Sequence, residues 1–569
     1  MTANNFIPTN NKKILLMVLP FWDPLVPPQG ISYLKFFLQH HGYIVRTKDC
    51  NTMDEFKTLY HKYFGLLKQF IPGNKQGNFF NIGHDVMRNH MTAHIHNENE
   101  KKYKKLVQSI VYNTYFTRLS DAQITQLNDV WNTFYSRLEK YISRLLEKEK
   151  PDVLGISVLR DCLGPSMFAF RVAKTKCPFI KTVMGGSIFS DHLLPGTPNF
   201  DYFLEKAAYI DKIIIGEGQI LFLKWLEGQL PDTQRVLTLK DINFRTLGYT
   251  SLNYPDMSDF NVTQDYPYLS AHASSSCPYQ CSFCNVKAFF GEYREKDPQQ
   301  VIEEMTNLYK KYGIQLFFMN DALVNSAAPA LSEEFLKTDI PLYWDGYLRV
   351  GKSVCDFNNT LQWRKGGFYR SRLGVESGSQ HVLDMMHKGI TPQQSKEALL
   401  SLSHAGIKTT AYWVIGHPGE TEGDFLQTLE LLQELKDHIF EAECNPFIFG
   451  YHGQSDSENW KNKRKPLYSD DDREMLIIQS WVVDTEPSRE ELYQRVNRFV
   501  QRCQELDIPN PYSLHDIYQA DKRWQRLHKN AVPALVDFKT RDKAIDECRN
   551  IKQFFYLETP HEEEGDFDF

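Results

Sequence analysis

Ser276-Cys277-Pro278-Tyr279-Gln280-Cys281-Ser282-Phe283-Cys284 places three cysteines in a C-x3-C-x2-C spacing on one short stretch. The chain has ten cysteines in 569 residues, so such a triplet is expected by chance on the order of 0.003 times. Three thiolates on one loop can hold three irons of a cubane cluster and leave the fourth iron without a protein ligand. An open iron is a chemical tool, whereas a four-cysteine site is usually a closed electron carrier. The competing reading is structural zinc, with His272 or a distant cysteine as fourth ligand. Zinc sites usually come as two C-x2-C-like pairs, and no second pair is present.

Working outward, the sequence around the triplet alternates short apolar strands with helices. Strands are expected at 269–273, 316–319, 342–344, 371–375, 409–415 and 444–449, with helices such as 298–312, 393–405 and 422–435 between them. Six βα units make a partial TIM-type barrel, with chemistry at the carboxyl ends of its strands. The cysteine loop follows the first of these strands. Residues 13–50 read as strand, loop, helix, strand, and the pattern returns at 152–158, in a strand ending 183–186, and at 212–215. Such alternation implies a parallel sheet buried on both faces, with ligands at the carboxyl ends of its strands. Gly30, Ser157, Gly185-Gly186 and Gly216-Glu217-Gly218 all fall there.

The expected organisation is therefore an α/β chain. Residues 1–232 form a Rossmann-like domain with a helical insert at about 53–148, and 233–265 form a linker. Residues 266–455 form the partial (β/α)6 barrel, and 456–569 a mainly helical C-terminal segment with an acidic, solvated end at 561–569.

Composition narrows the class. The chain is 42% hydrophobic and 24% charged with a net charge of −6, which argues against a nucleic-acid binder driven by electrostatics. The other seven cysteines (50, 162, 177, 355, 444, 503 and 548) lack framework spacing and suit a reducing cytoplasm. Lys12-Lys13 before the apolar run 14–19 superficially resembles a leader, but the run is short and Pro20-Phe21-Trp22-Asp23 breaks it. It is expected to be a buried strand. No stretch approaches 18 apolar residues, so no membrane span is expected.

Further motifs accompany the triplet. Asn320-Asp321 closes the second barrel strand and Tyr347-Leu348-Arg349 the third. Gly374-Val375-Glu376-Ser377-Gly378-Ser379, followed by Met386-His387-Lys388-Gly389, ends the fourth, and Ile415-Gly416-His417-Pro418-Gly419-Glu420-Thr421 turns after the fifth. In this order and spacing, residues 10–455 resemble the cobalamin-binding class of radical S-adenosylmethionine (SAM) enzymes. The barrel half is the specific part. In the other half, Pro27-Pro28-Gln29-Gly30, Val183-Met184-Gly185-Gly186-Ser187 and Gly216-Glu217-Gly218 look like that class's cobalamin-domain turns. Their plainer reading is tight strand-to-helix turns that need glycine.

The resemblance implies that Cys277, Cys281 and Cys284 bind a [4Fe–4S] cluster whose open iron takes SAM. One electron would then release a 5′-deoxyadenosyl radical that attacks a substrate C–H bond. It implies SAM contacts from Phe283, Asp321, Arg349, Glu376 and Gly416. Cobalamin contacts would come from Pro28, Gly30, Ser157, Val158, Gly185, Gly186, Glu217 and Gly218. The Asp-x-His-x-x-Gly motif that supplies a lower axial histidine in many cobalamin domains is missing, since Asp191-His192 with Gly196 has the wrong spacing. Loops 20–26 and 159–163 are candidates for the lower cobalt face. Trp344, Tyr347, Tyr412 and Trp413 are candidate pocket aromatics.

The implied activity is methyl transfer to an unactivated carbon of a natural-product or peptide substrate. The alternative is radical cyclisation, rearrangement or epimerisation with the same cofactors; a non-catalytic cluster carrier is a third. A methylthiotransferase would need a second cysteine triplet upstream. Expected partners are a small-molecule or peptide substrate and an electron donor such as flavodoxin or ferredoxin.

Overall fold

A computed structural model describes residues 10–528, apart from 23, 243–254, 339, 341, 451–459, 461 and 511–513. The middle of the expected linker, Cys548 and the acidic stretch 561–569 lie outside the described residues.

Strict alternation of apolar side chains builds the first sheet. In β1 (Lys13–Val18), Ile14, Leu16 and Val18 enter one core while Leu15 and Met17 enter another. A strand buried on both faces belongs inside a parallel sheet with helices on each side. β1 lies between β2 (Ile44–Asp49) and β3 (Val153–Ser157), followed by β4 (Lys181–Gly185), β5 (Lys212–Ile214) and β6 (Val236–Leu237). The order β2-β1-β3-β4-β5-β6 is parallel throughout. Two-residue β6 has no readable periodicity, and it carries the sheet past the expected boundary at 232.

Helix α1 (Gln29–His40) follows β1. The insert between β2 and β3 consists of four helices, α2 (Asp54–Phe70), α3 (Phe79–Ile95), α4 (Glu100–Tyr115) and α5 (Asp121–Glu149). Helices α6 (Leu163–Lys176), α7 (Ile188–Asp191), α8 (Pro198–Lys206) and α9 (Gly218–Leu226) complete the domain. Within the insert α3 is buried nearly all round, down to Arg88, Asn89, His90 and Thr92, as expected of a helix enclosed by others. It reaches the barrel through Asn78, whose amide donates to the Cys444 carbonyl at 2.8 Å.

Burial holds the insert histidines neutral. His90 hydrogen-bonds Tyr63, Tyr103 and Asn128 and is pushed down to about 3. His61, His94 and His96 are each lowered to about 4 by desolvation. The unfolded chain takes up these protons below about 6.5, whereas the folded chain resists until about 4. Stability is therefore expected to be full at pH 7.5 and to fall as pH drops from about 6.5 towards 4. Urea midpoints at pH 7.5 and 5.0 check this; equal midpoints contradict it.

The second sheet starts at β7 (Leu269–Ala271), after which β8 (Ser274–Ser275) and β9 (Arg294–Glu295) form a small antiparallel pair around the cysteine loop. β10 (Leu316–Met319), β11 (Tyr343–Arg349), β12 (Phe368–Glu376), β13 (Lys408–Ile415) and β14 (Glu441–Pro446) follow. Their order β14-β13-β12-β11-β10-β7 is a six-stranded parallel half-barrel. Helix Arg489–Glu505 packs outside it, Phe499 lying 5.7 Å from Trp413. Helix Leu514–Leu527 closes the amino end, where Asp521 pairs with Lys408 at 2.5 Å. No helix among the described residues is long and apolar enough to cross a membrane.

Candidate active site

The cysteine loop leaves the carboxyl end of β7 and is pinned on several sides. Ser276 Oγ donates to the Gly291 carbonyl at 2.6 Å. Ser282 donates its N–H to the Met386 carbonyl at 2.9 Å and its hydroxyl to that of Met385 at 3.0 Å. The second anchor ties the loop to the turn after β12. Cys277 and Cys281 are half-buried and Cys284 is exposed, while Cys50, Cys162, Cys444 and Cys503 are buried.

Two cations attend the thiols. Arg349, at the end of β11, donates from Nη1 to Cys281 Sγ at 3.1 Å, and its guanidinium lies 4.1 Å over the Tyr279 ring. Lys388 Nζ lies 5.8 Å from the Phe283 ring centre and donates to Glu376 Oε1 at 2.5 Å. Three soft thiolate donors beside positive charge suit an anionic iron–sulfur cluster. Glu376 has φ +67°, a conformation that costs a non-glycine residue about 1–3 kcal/mol. Its carboxylate folds back over Gly374, where a Cβ would lie 2.4 Å from Oε1 and 2.8 Å from Lys388 Nζ. Gly374 thus leaves room for the pair. The other carboxylate oxygen has no protein partner among the described residues.

Phe283, Arg349 and Glu376 therefore gather around the three cysteines. Two other SAM candidates are placed differently. Asp321 accepts hydrogen bonds from the backbone of Ala273 at 3.0 Å, from Ser274 Oγ at 2.6 Å and from the Ser274 N–H. Desolvation raises it to about 6 despite these donors. It staples the end of β10 to the start of the cysteine loop, a positioning role. Gly416 donates its N–H to Glu420 Oε2 at 3.0 Å, and a Cβ there would lie 2.3 Å from Leu492. It serves close packing of helix Arg489–Glu505. Trp344 and Trp413 are fully buried outside the barrel, whereas Tyr347 and Tyr412 face the lumen with rings 5.9 Å apart.

The carboxyl edge of the first sheet carries the other half. Gly30, Gly186 and Gly216 are exposed, and Pro28, Ser157, Gly185, Glu217 and Gly218 are half-buried. This accessible edge, nearly free of side chains, suits a large flat ligand such as a corrin. Val158 is the fully buried member of the set: its N–H donates to the Gly185 carbonyl and its carbonyl accepts from Ile188. Gly186 has φ +111°, and a Cβ would meet the Val158 carbonyl oxygen at 2.4 Å. Gly186→Ala is expected to cost at least about 2 kcal/mol, seen as a lower urea midpoint; an unchanged midpoint would show that the turn can relax.

The two edges face each other. Arg294 of β9 pairs with Glu217 at 3.0 Å. Gln29, at the start of α1, donates to the Ser270 carbonyl at 2.8 Å and accepts from Asn320 at 2.8 Å. Helix Val286–Phe290, directly after Cys284, lies against α7, directly after Gly186.

The insert and the C-terminal segment are expected from the sequence to shape the pocket, but the sequence reading named none of the insert's residues. Asn81, Asp85 and Arg88 recur at i, i+4, i+7 on α3, a spacing that signals one polar helix face. Asn81 bonds Asn445 at the end of β14. Asp85 pairs with Arg160 at 2.8 Å, and Arg88 with Asp161 at 3.1 Å, so the candidate loop 159–163 is held by the insert. Lys388 was visible as part of a motif but without a role.

Residues 273–432 match the model of the radical SAM superfamily. The chain is 26% identical over 311 residues to an anaerobic magnesium-protoporphyrin IX monomethyl ester cyclase of Rubrivivax gelatinosus, across 50% of this chain and 54% of that protein. It is 25% identical over 317 residues to an uncharacterized methyltransferase of Pyrococcus horikoshii, across 52% of this chain and 66% of that one. The chain thus spans about half to two thirds of the length of these curated relatives. Among solved structures, the radical SAM methyltransferase TsrM of Kitasatospora setae, with cobalamin and a [4Fe–4S] cluster bound, superposes with a TM-score of 0.59. That alignment covers 95% of this chain and 100% of TsrM at 13% identity. The match over residues 273–432, together with a cysteine loop seated at the mouth of a parallel half-barrel, identifies that segment as a radical SAM domain, in a chain that shares its two-domain fold with TsrM.

Proposed function

We propose that the chain is a cobalamin-dependent radical SAM enzyme that transfers a methyl group to an unactivated carbon of a small-molecule or peptide substrate. The observation that carries this is the juxtaposition across the Arg294–Glu217 pair. The cysteine loop lies on one side and the glycine-rich carboxyl edge of the first sheet on the other. When bound, the cluster supplies one electron to SAM, and cobalamin supplies a transferable methyl group.

The chain's own residues bind, orient and enclose. Cys277, Cys281 and Cys284 ligate iron. Arg349 offers a charge-assisted donor to the SAM carboxylate, and the uncommitted oxygen of Glu376 accepts from the SAM ammonium or ribose hydroxyls. Phe283 packs on adenine. Pro28, Gly30, Ser157, Gly185, Gly186, Glu217 and Gly218 would form the corrin seat, with loops 20–26 and 159–163 as the candidates to border it. The insert, through Asn81 and Asp85, walls the space and keeps water from the reacting atoms. A flavodoxin or ferredoxin delivers the electron, in a reducing cytoplasm.

A second reading, radical cyclisation without methyl transfer, is favoured by the 26% identity to the cyclase relative. Anaerobic reconstitution with iron, sulfide and hydroxocobalamin, then desalting, is expected to leave both a cluster absorption and retained corrin. S-adenosylhomocysteine formed with substrate supports methyl transfer. Its absence alongside 5′-deoxyadenosine supports the second reading, and a cluster without corrin overturns both.

A further inference from the structure

The lumen of the half-barrel is lined by two tiers of inward residues. The lower tier satisfies its own charge. Arg370 pairs with Glu441 at 2.5 Å, Arg372 with Asp345 at 2.9 Å, and Lys408 with Asp521 at 2.5 Å. The upper tier stays accessible: Phe318, Tyr347, Tyr412, Glu443 and Asn445 are all half-buried, while their neighbours on the outer faces are buried.

The register joins this tier to the cysteine loop. Arg349 pairs with Gly374, Gly374 with Tyr412, and Tyr412 with Glu443, one continuous row across β11 to β14. The row begins at Arg349, which touches Cys281. Gly374 contributes no side chain of its own, and the Glu376–Lys388 pair folds over it. The row ends at Glu443.

Glu443 differs from every other lumen carboxylate. Arg370, Arg372 and Lys408 are each committed to another acid, and among the described residues no cation lies within ion-pair distance of Glu443. Tyr412 stands next to it in the register of the sheet. Desolvation and the Glu441 carboxylate raise its pKa, against the weaker pull of Arg372 and Arg370. A partly desolvated carboxylate without a cation is destabilising unless a ligand compensates it. The Tyr412 ring on the neighbouring strand, with Tyr347 5.9 Å beyond it, presents a π face that also favours a cation.

We infer that Glu443, beside Tyr412 and with Tyr347 beyond that ring, is a specificity-determining residue that receives a protonated nitrogen of the substrate. The remainder of the molecule then extends past Tyr412 towards the Glu376–Lys388 pair and the cysteine loop. This rests on the radical SAM reading for the identity of the reaction, but the binding preference can be measured separately.

The test is equilibrium dialysis of the anaerobically reconstituted full chain, with SAM present at pH 7.5. The probes are 2-phenylethylamine and its neutral counterpart 2-phenylethanol. Wild type is expected to retain the amine at least about tenfold more tightly, a coupling in the range of an organic cation against a carboxylate and aromatic rings. Glu443→Gln keeps the shape and is expected to abolish that preference, whereas Tyr347→Ala weakens both probes. Equal retention of the two probes by wild type, including retention of neither, overturns the inference, as does a preference that survives in Glu443→Gln. 5′-Deoxyadenosine release by reduced wild type reports on the radical SAM reading alone. A preference without SAM cleavage sinks that reading and leaves this one standing.

Discussion

The Cys277→Ala/Cys281→Ala/Cys284→Ala protein, reconstituted anaerobically, is expected to hold well under one iron per chain where wild type holds about four. It should release no 5′-deoxyadenosine from SAM under dithionite. The effect is all-or-none because the other described cysteines form no second triplet: Cys50, Cys162, Cys444 and Cys503 are buried, and the half-buried Cys177 and Cys355 lie singly at the end of α6 and in helix Lys352–Cys355. The fold should survive, since the loop is held by Ser276, Ser282 and the Asp321 staple rather than by its thiols. Far-ultraviolet circular dichroism and the urea midpoint of the apo proteins should therefore coincide. Retention of the full iron content in the triple variant would move the cluster elsewhere. Iron loss with SAM cleavage intact would sink the proposed chemistry altogether.

How much of this was legible in the sequence depends on which way each face points. Strand β1 declared itself because Ile14 to Val18 are apolar on both faces, and the six-unit barrel followed from spacing. Barrel strands β11 and β12 came out longer than expected, Tyr343–Arg349 and Phe368–Glu376 against 342–344 and 371–375. The cause is the lumen. Asp345, Arg349, Arg370 and Arg372 point inward, and their charges interrupt the apolar run by which a buried parallel strand is recognised. The same fact hid Glu443, since nothing local distinguishes a glutamate paired across a barrel from one left without a cation. Asp321, Gly416 and Val158 pose the opposite problem. Each sits in a motif that resembles a binding turn, yet each also bonds within the protein, to the Ser274 backbone, to Glu420, and to Gly185 and Ile188. Motif spacing locates a turn but does not say whether its donors face a ligand or the protein.

The Glu376–Lys388 pair allows positioning to be separated from packing. Both side chains are buried, at 8% and 7% exposure, and meet at 2.5 Å. Removing one partner of such a pair leaves the other charge stranded, at a cost of about 3–5 kcal/mol, whereas replacing both by neutral groups is often close to neutral. Lys388→Met is therefore expected to lower the urea-extrapolated stability by that amount. Glu376→Gln/Lys388→Met should recover most of it. If the pair only closed the end of β12, SAM cleavage would return together with stability. If the pair holds Glu376 in its left-handed conformation so that its second oxygen meets SAM, cleavage stays depressed in the double variant with an elevated KM for SAM. The second outcome is the one expected, because a non-glycine residue at φ +67° is costly to keep for packing alone. A double variant that regains both stability and wild-type KM would reduce Glu376 to a structural residue and leave Arg349 as the remaining charged side chain proposed to hold SAM.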